Sequence, residues 1–215
     1  MTLSRRFLST ARAFLSKFRE RSDGTVAVEF ALIAPVLILL YIGLFQISML
    51  ITEDRNVSHA ASVIGDLATL SDEITDQEIE DIFQAGAEIL GITNPDAWNE
   101  VSMQLVSLSF GNGPGDYKVE GIAQIGGGFD DASKQTYDPL ILSNESGAMV
   151  ARIRYNYYLN SYGSGAYNGE DNFFGGQTML EEEYLLKPRA ATFVGFKDSG
   201  KNLLTCTINS GTVSC

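Results

Sequence analysis

Cysteine, histidine and basic side chains are scarce in this sequence, and each scarcity removes a class of chemistry. Two cysteines, Cys206 and Cys215, cannot build a disulfide-dense scaffold. One histidine, His59, leaves little material for a zinc site or for histidine acid–base catalysis. A Cys–His nucleophile would have to bring His59 to Cys206 across most of the chain. No G-x-S-x-G, H-E-x-x-H or C-x-x-C pattern occurs. Carboxylates are plentiful, but abundance is not placement. The expectation is no enzymatic activity, no metal and no cofactor. Lysine and arginine total 15 against 27 acids, a net charge of −12. Acidity on this scale argues against nucleic acid as a partner, which needs a basic patch to neutralise its phosphates.

Charge of either sign is absent from Phe30 to Ile51, a run of 22 residues. As a helix rising ~1.5 Å per residue it would be roughly 33 Å long, enough to cross a hydrocarbon core of ~30 Å. Glu29 is the only charge between Gly24 and Glu53. An acid there costs up to ~2.5–3.5 kcal/mol if carried to the bilayer centre, and less near the interface. Something should therefore answer it. Pro35 sits inside the run, where a membrane helix tolerates a lost N–H because neighbouring groups re-satisfy the freed carbonyl.

The scarce cations are unevenly placed. Residues 1–24 carry six basic and two acidic side chains, net +4, whereas the other 191 residues carry nine basic and 25 acidic, net −16. Leu3, Phe7, Leu8, Ala11, Phe14, Leu15 and Phe18 recur at helical spacing, with Arg5, Arg12 and Arg19 off that stripe. This is a basic amphipathic helix suited to an anionic membrane surface. By the positive-inside rule it stays cytoplasmic and the chain after the span lies outside. A conventional signal peptide has a shorter apolar core with a small-residue cleavage site close behind. Here the core is too long and the nearest such site, Ser58-His59-Ala60, lies behind Glu53, Asp54 and Arg55. A mitochondrial transit peptide is a further rival for the Arg- and Ser-rich start.

The segment GTVAVEFALIAPVLILLYIGLFQ, from Gly24 to Gln46, resembles the start of the TadE-like family, minor pseudopilins of tight-adherence (Flp) pilus systems. The resemblance covers about residues 21–66 and rests on the basic flank, Gly24, the spacing to Glu29 and Phe30, Ala34-Pro35 and the apolar run. It implies cleavage after Gly24 by a prepilin peptidase, making Thr25 the new N-terminus and Glu29 its fifth residue. It also implies a bacterial inner-membrane location, other pilins and assembly machinery as partners, and a subunit-docking role for Glu29 and Pro35. A new α-amine at Thr25 would be cationic, with a pKa of ~8, and would be a counter-charge for Glu29 of a neighbouring subunit. The competing reading is an uncleaved, signal-anchored envelope protein whose head binds a ligand or partner.

The expected organisation is a leader over 1–24, a span over 25–51 and a head over 52–215. The fold class expected is α+β and pilin-like: a long N-terminal helix entering the head, one further helix, and an antiparallel sheet of four to six strands. Val57, Ala60, Ala61, Ile64, Leu67 and Ala68 form a stripe that continues the first helix. Thr75 and Glu78 make a capping box before a second helix ending near Gly91, whose acids Asp76, Glu80, Asp81 and Glu88 read as a solvated face. Period-two runs at 101–110 and 117–125 around a Gly-Asn-Gly-Pro-Gly turn predict a hairpin. Residues 148–159 and 179–187 predict further strands, with Met149, Ala151, Ile153, Tyr155 and Tyr157 on one face and Arg152, Arg154 and Asn156 on the other. Lys187 and Arg189 are expected to pair locally with Glu181, Glu182 and Glu183. Tyr162, Tyr167, Phe173 and Phe174 are a candidate partner surface. Outside the cytoplasm Cys206 and Cys215 are expected to form a disulfide.

Overall fold

The computed structural model describes residues 23–92, 95–111, 116–137, 147–158, 177–197, 203–209 and 212–215. The chain divides after Met49 into two units. The first contains the start of helix α1, Asp23–Ala68, which runs through Pro35 without interruption. The second, from Leu50 onward, is an α+β head. Residues 1–22 of the leader and the aromatics between Tyr162 and Phe174 lie outside the described residues.

Within the head, α1 buries the expected stripe. Val57, Ala60, Ala61, Ile64 and Ala68 are buried. Leu67 departs from the expectation and is 37% exposed. It lies in the last turn, on the wall of an open groove shared with Leu70 and Ile82. Gly65 faces the sheet directly: a Cβ there would stand 2.4 Å from Leu186 Cδ1 and 3.0 Å from the Ala151 Cβ. A hydrogen at this position lets the helix approach the sheet. The helix closes where Thr69 N–H and the Thr69 hydroxyl both donate to the Asp66 carbonyl, at 3.1 and 2.8 Å.

Helix α2, Asp76–Ile89, begins with the capping box its sequence spells. Glu78 N–H donates to Thr75 Oγ1 at 3.3 Å, and Thr75 N–H donates to Glu78 Oε2 at 2.8 Å. At the other end Gly91 adopts φ 71°, Gly91 N–H donates to the Glu88 carbonyl and Ile92 N–H to that of Ala87. Those two bonds make a Schellman ending, which satisfies carbonyls that the helix leaves open. Ile79, Ile82, Phe83, Gly86 and Ala87 face the core.

Among the described residues eight strands follow one another as β1 (Glu73–Ile74), β2 (Val101–Phe110), β3 (Tyr117–Ile125), β4 (Ala148–Tyr158), β5 (Gln177–Leu186), β6 (Gly195–Phe196), β7 (Leu203–Asn209) and β8 (Thr212–Ser214). The main sheet has the order β5-β4-β2-β3-β7-β8, and β1 pairs with β6 separately. The expected hairpin is β2–β3, in register from Met103 opposite Ile125 to Phe110 opposite Tyr117, with a shift at Ser107/Leu108. The sheets are mixed, which corrects the expectation of an antiparallel one. β3 pairs with β7, and β1 with β6, in parallel. Both parallel pairings join segments far apart in sequence, so no hairpin signal announces them.

The sheet is buried on two faces. Against the helices lie Met103, Leu105, Met149, Ala151 and Ile153, with Trp98 from a short 3₁₀ turn. The opposite face gathers Val106, Leu108, Ala148 and Val150 beneath Ala132 and Tyr137 of the segment after β3. Arg152 belongs to this second face and is only 2% exposed. Its Nε is 2.5 Å from Glu183 Oε2, its Nη1 donates to Gln104 Oε1 at 3.1 Å, and its Nη2 donates to Tyr137 Oη at 2.7 Å. Gln104 in turn donates to Gln124 at 3.1 Å. The β4–β5 register sets Arg152 opposite Glu183 and Arg154 opposite Glu181, and the second pair has an N–O distance of 2.9 Å. Local pairing of Arg189 with the glutamates is therefore overturned. Arg189 binds Asp66 of α1 instead, while the strand glutamates answer β4.

The chain terminus is fastened twice. Cys206 and Cys215 are joined by a disulfide across the β7–β8 hairpin. Cys215 N–H donates to Glu80 Oε1 of α2 at 2.7 Å.

Candidate functional site

The residues singled out in sequence for processing and docking all lie on α1. The helix starts at Asp23, so the Gly24–Thr25 bond falls in its first turn. Thr25 and Glu29 are four residues apart and share a face. Glu29 is exposed, and no described side chain is bonded to it. Phe30 follows at 68% exposure. Pro35 lies one and a half turns further on, within continuous helix. A Cβ at Gly43 would meet no atom within 4 Å.

The apolar side chains between Val26 and Ile51 are not a core. Leu32, Ile33, Leu37, Leu40 and Leu44 are all more than half exposed. Of the described residues, only this helix is long and apolar enough to cross a membrane, and its most apolar window is 0% buried by the rest of the chain. A soluble protein's core helix would be covered. An uncovered apolar cylinder of this length in water would far exceed the patch sizes that monomers tolerate. The backbone of a helix is internally satisfied, so lipid can surround it at no hydrogen-bonding cost.

The head offers polar features of a different kind. Burial, opposed by the Arg152 cation and assisted by Glu183, pushes the Tyr137 phenol up to about 12. Tyr117, edge-on to Tyr137 at 5.0 Å between centroids, is raised chiefly by burial as well. Glu120 is lowered, first by the Ser109 hydroxyl. Glu78 is lowered by the Thr75 backbone and hydroxyl of the capping box. Each of these shifts has a structural cause within the fold. An open groove of about 250 Å³ lies between the end of α1 and the start of α2, lined by Leu67, Leu70, Ile74, Ile82, Glu78 and Asp81 among others. Among the described residues no three His, Cys, Asp or Glu side chains gather to hold an ion.

One feature of the span escaped the sequence pattern. Leu50 sits in the charge-free run, yet it packs against the head's core, as Tyr155 and Tyr157 do. Hydropathy alone could not reveal this, because lipid and protein core select the same residue types.

In comparison with known families, residues 24–65 match the family model of TadE-like proteins. No curated protein matches the chain, and no solved structure does. The matched stretch starts at the glycine of the expected cleavage site and ends at the glycine where α1 meets the sheet. Over residues 24–65, then, helix α1 is similar to the TadE-like proteins.

Proposed function

We propose that this protein is a minor pseudopilin-like subunit for assembly of a tight-adherence pilus. The observation that carries the reading is the coincidence of the TadE-like match with an uncovered apolar helix. In this account the helix holds the protein once in the bacterial inner membrane. The basic leader remains in the cytoplasm and the acidic head faces the periplasm or the exterior. A prepilin peptidase is the partner that cuts after Gly24, and other pilins or pseudopilins are the partners that follow.

The cut gives Glu29 its role. The new α-amine at Thr25 is a cation with a pKa of ~8. In lipid a carboxylate without a counter-charge is costly, and its own helix N-terminus returns only ~0.3–1 kcal/mol. Pairing Glu29 with the amine of a neighbouring subunit answers the larger part. Docking then requires both the acid and the proteolysis that creates its partner.

A second reading is favoured by the placement of the Gly24–Thr25 bond within helix. A peptidase must unwind that turn before cutting, whereas an uncleaved anchor leaves it alone. The alternative is then a signal-anchored envelope protein whose head binds a ligand or partner. Amino-terminal sequencing of the membrane-resident protein from its own host decides between them. A mature chain beginning at Thr25 supports the pseudopilin account. A chain beginning at or near Met1 overturns it in favour of the anchor.

A further inference from the structure

Strands β4 and β5 run alongside α1. Gly65 of α1 faces Ala151 and Leu186. One level down, Ser58 Oγ lies 2.7 Å from Tyr184 Oη. Lower still, Leu50 packs in the same cluster as Tyr155 and Tyr157. The carboxylate of Glu53 is near enough to Tyr157 to add to the upward push that burial gives its phenol. The paired ends of the two strands, Tyr157 opposite Thr178 and Tyr158 opposite Gln177, therefore come level with the start of the head's part of α1.

Tyr155-Asn156-Tyr157-Tyr158 and Gln177-Thr178-Met179-Leu180 contain no charge, in a chain whose residues after 24 carry net −16. Met179 is 58% exposed, the most exposed large apolar side chain among the described residues of the head. At ~1.5 Å per residue Glu53 stands about 3 Å beyond Ile51, inside a headgroup layer of roughly 5–7 Å. Tyrosine is the residue type that partitions to this layer, with its ring toward the acyl chains and its hydroxyl toward water.

We infer that the tyrosine-rich, uncharged end of β4 and β5 is seated in the phospholipid headgroup layer, so that the head rests on the bilayer instead of standing off it. This rests on the reading that residues 30–51 span lipid. The ligand is the membrane interface itself, held by aromatic and apolar side chains. An acidic head gains nothing from anionic lipid, so the contact requires neither anionic lipid nor low salt.

The test uses the full chain with a nitroxide on Met179→Cys, reconstituted in phosphatidylcholine vesicles. Cys206 and Cys215 are paired and leave no free cysteine to compete for the label. Leu39→Cys reports the middle of the apolar run. Lys118→Cys reports the opposite end of the sheet, since Lys118 lies opposite Ser109 whereas Tyr155 lies opposite Val101. Collision rates with oxygen and with a water-soluble nickel chelate give each label's depth. The label at 179 is expected to meet the nickel chelate several-fold less often than the one at 118, and oxygen less often than the one at 39. Adding phosphatidylglycerol or high salt should leave that order unchanged. Equal nickel access at 179 and 118, with 39 in lipid, overturns the seating while leaving the span intact. Water access at 39 as well overturns both. Asn156→Cys, opposite Met179, repeats the measurement should labelling at 179 disturb folding.

Discussion

Replacing Arg152 by methionine tests how the second face of the sheet is held. The guanidinium has three polar partners on three elements, and each fares differently when it goes. Glu183 is 43% exposed and regains water, so its loss is small. Gln104 keeps its bond to Gln124 but its buried Oε1 is left without a donor. Tyr137, which ties the segment after β3 onto the sheet, loses the partner of its hydroxyl. An orphaned buried polar atom costs ~1–3 kcal/mol, and two of them set the scale. Removing a buried cation returns part of its desolvation cost, and methionine refills the apolar stem volume. The net expectation is a loss of about 2–4 kcal/mol. Urea titration of the full chain in detergent micelles measures it. The lone Trp98, 2% exposed in the head's core, is the fluorescent reporter. Glu183→Gln, which keeps an acceptor at the exposed partner, should cost no more than ~1 kcal/mol. A methionine variant as stable as the parent, or more stable, would refute the reasoning. The arginine would then be an electrostatic burden, with apolar burial alone holding that face.

Three further outcomes are expected. Tyr137 is pushed up to about 12, so its contribution is complete below the ordinary tyrosine value near ~10 and is lost as pH rises toward about 12; Tyr137→Phe should flatten the alkaline fall in stability over that window, and an unchanged pH profile would count against the burial of this phenol. Reduction of Cys206–Cys215 opens a loop with a sequence separation of 9; the chain-entropy treatment gives a loss of ~2.5–3 kcal/mol, read by the same urea titration with and without reductant, and identical midpoints would contradict it. Glu29→Ala should insert into the membrane normally but reduce assembly, so surface fibres at the parental level in that variant would remove the docking role.

Legibility followed the range of the forces involved. Thr75 and Glu78, three residues apart, announced the start of α2, and Gly91 announced its end, because caps are settled within a turn. The hairpin of β2 and β3 was readable from two alternating runs and a glycine-rich turn. The parallel partnership of β3 with β7 was not, since nothing within either strand names a neighbour some 80 residues away. Arg152 shows a subtler limit. Alternation correctly put it on the face away from Met149 and Ala151, but one strand's pattern cannot say whether that face meets water. Here Ala132 and Tyr137 cover it, and the cross-strand register supplies Glu183. The expectation for Arg189 failed for the same reason: its carboxylate partner, Asp66, comes from α1 and not from the adjacent glutamates. At the candidate site, the apolar run from Phe30 to Ile51 was legible because a long helix without charge is a one-dimensional pattern, and α1 leaves it uncovered. The membership of Leu50 in the head was hidden, because a lipid-facing leucine and a core leucine look alike in sequence.

The central physical claim is that the uncovered helix between Phe30 and Ile51 lies across lipid with the head on the outer side. Alkaline carbonate extraction of host membranes, followed by protease treatment of intact spheroplasts, tests it most directly. The account predicts a protein that stays with the membrane pellet at high pH and whose head is digested from outside while the cytoplasm is sealed. Release into the supernatant, or a head protected until the cells are lysed, would contradict it.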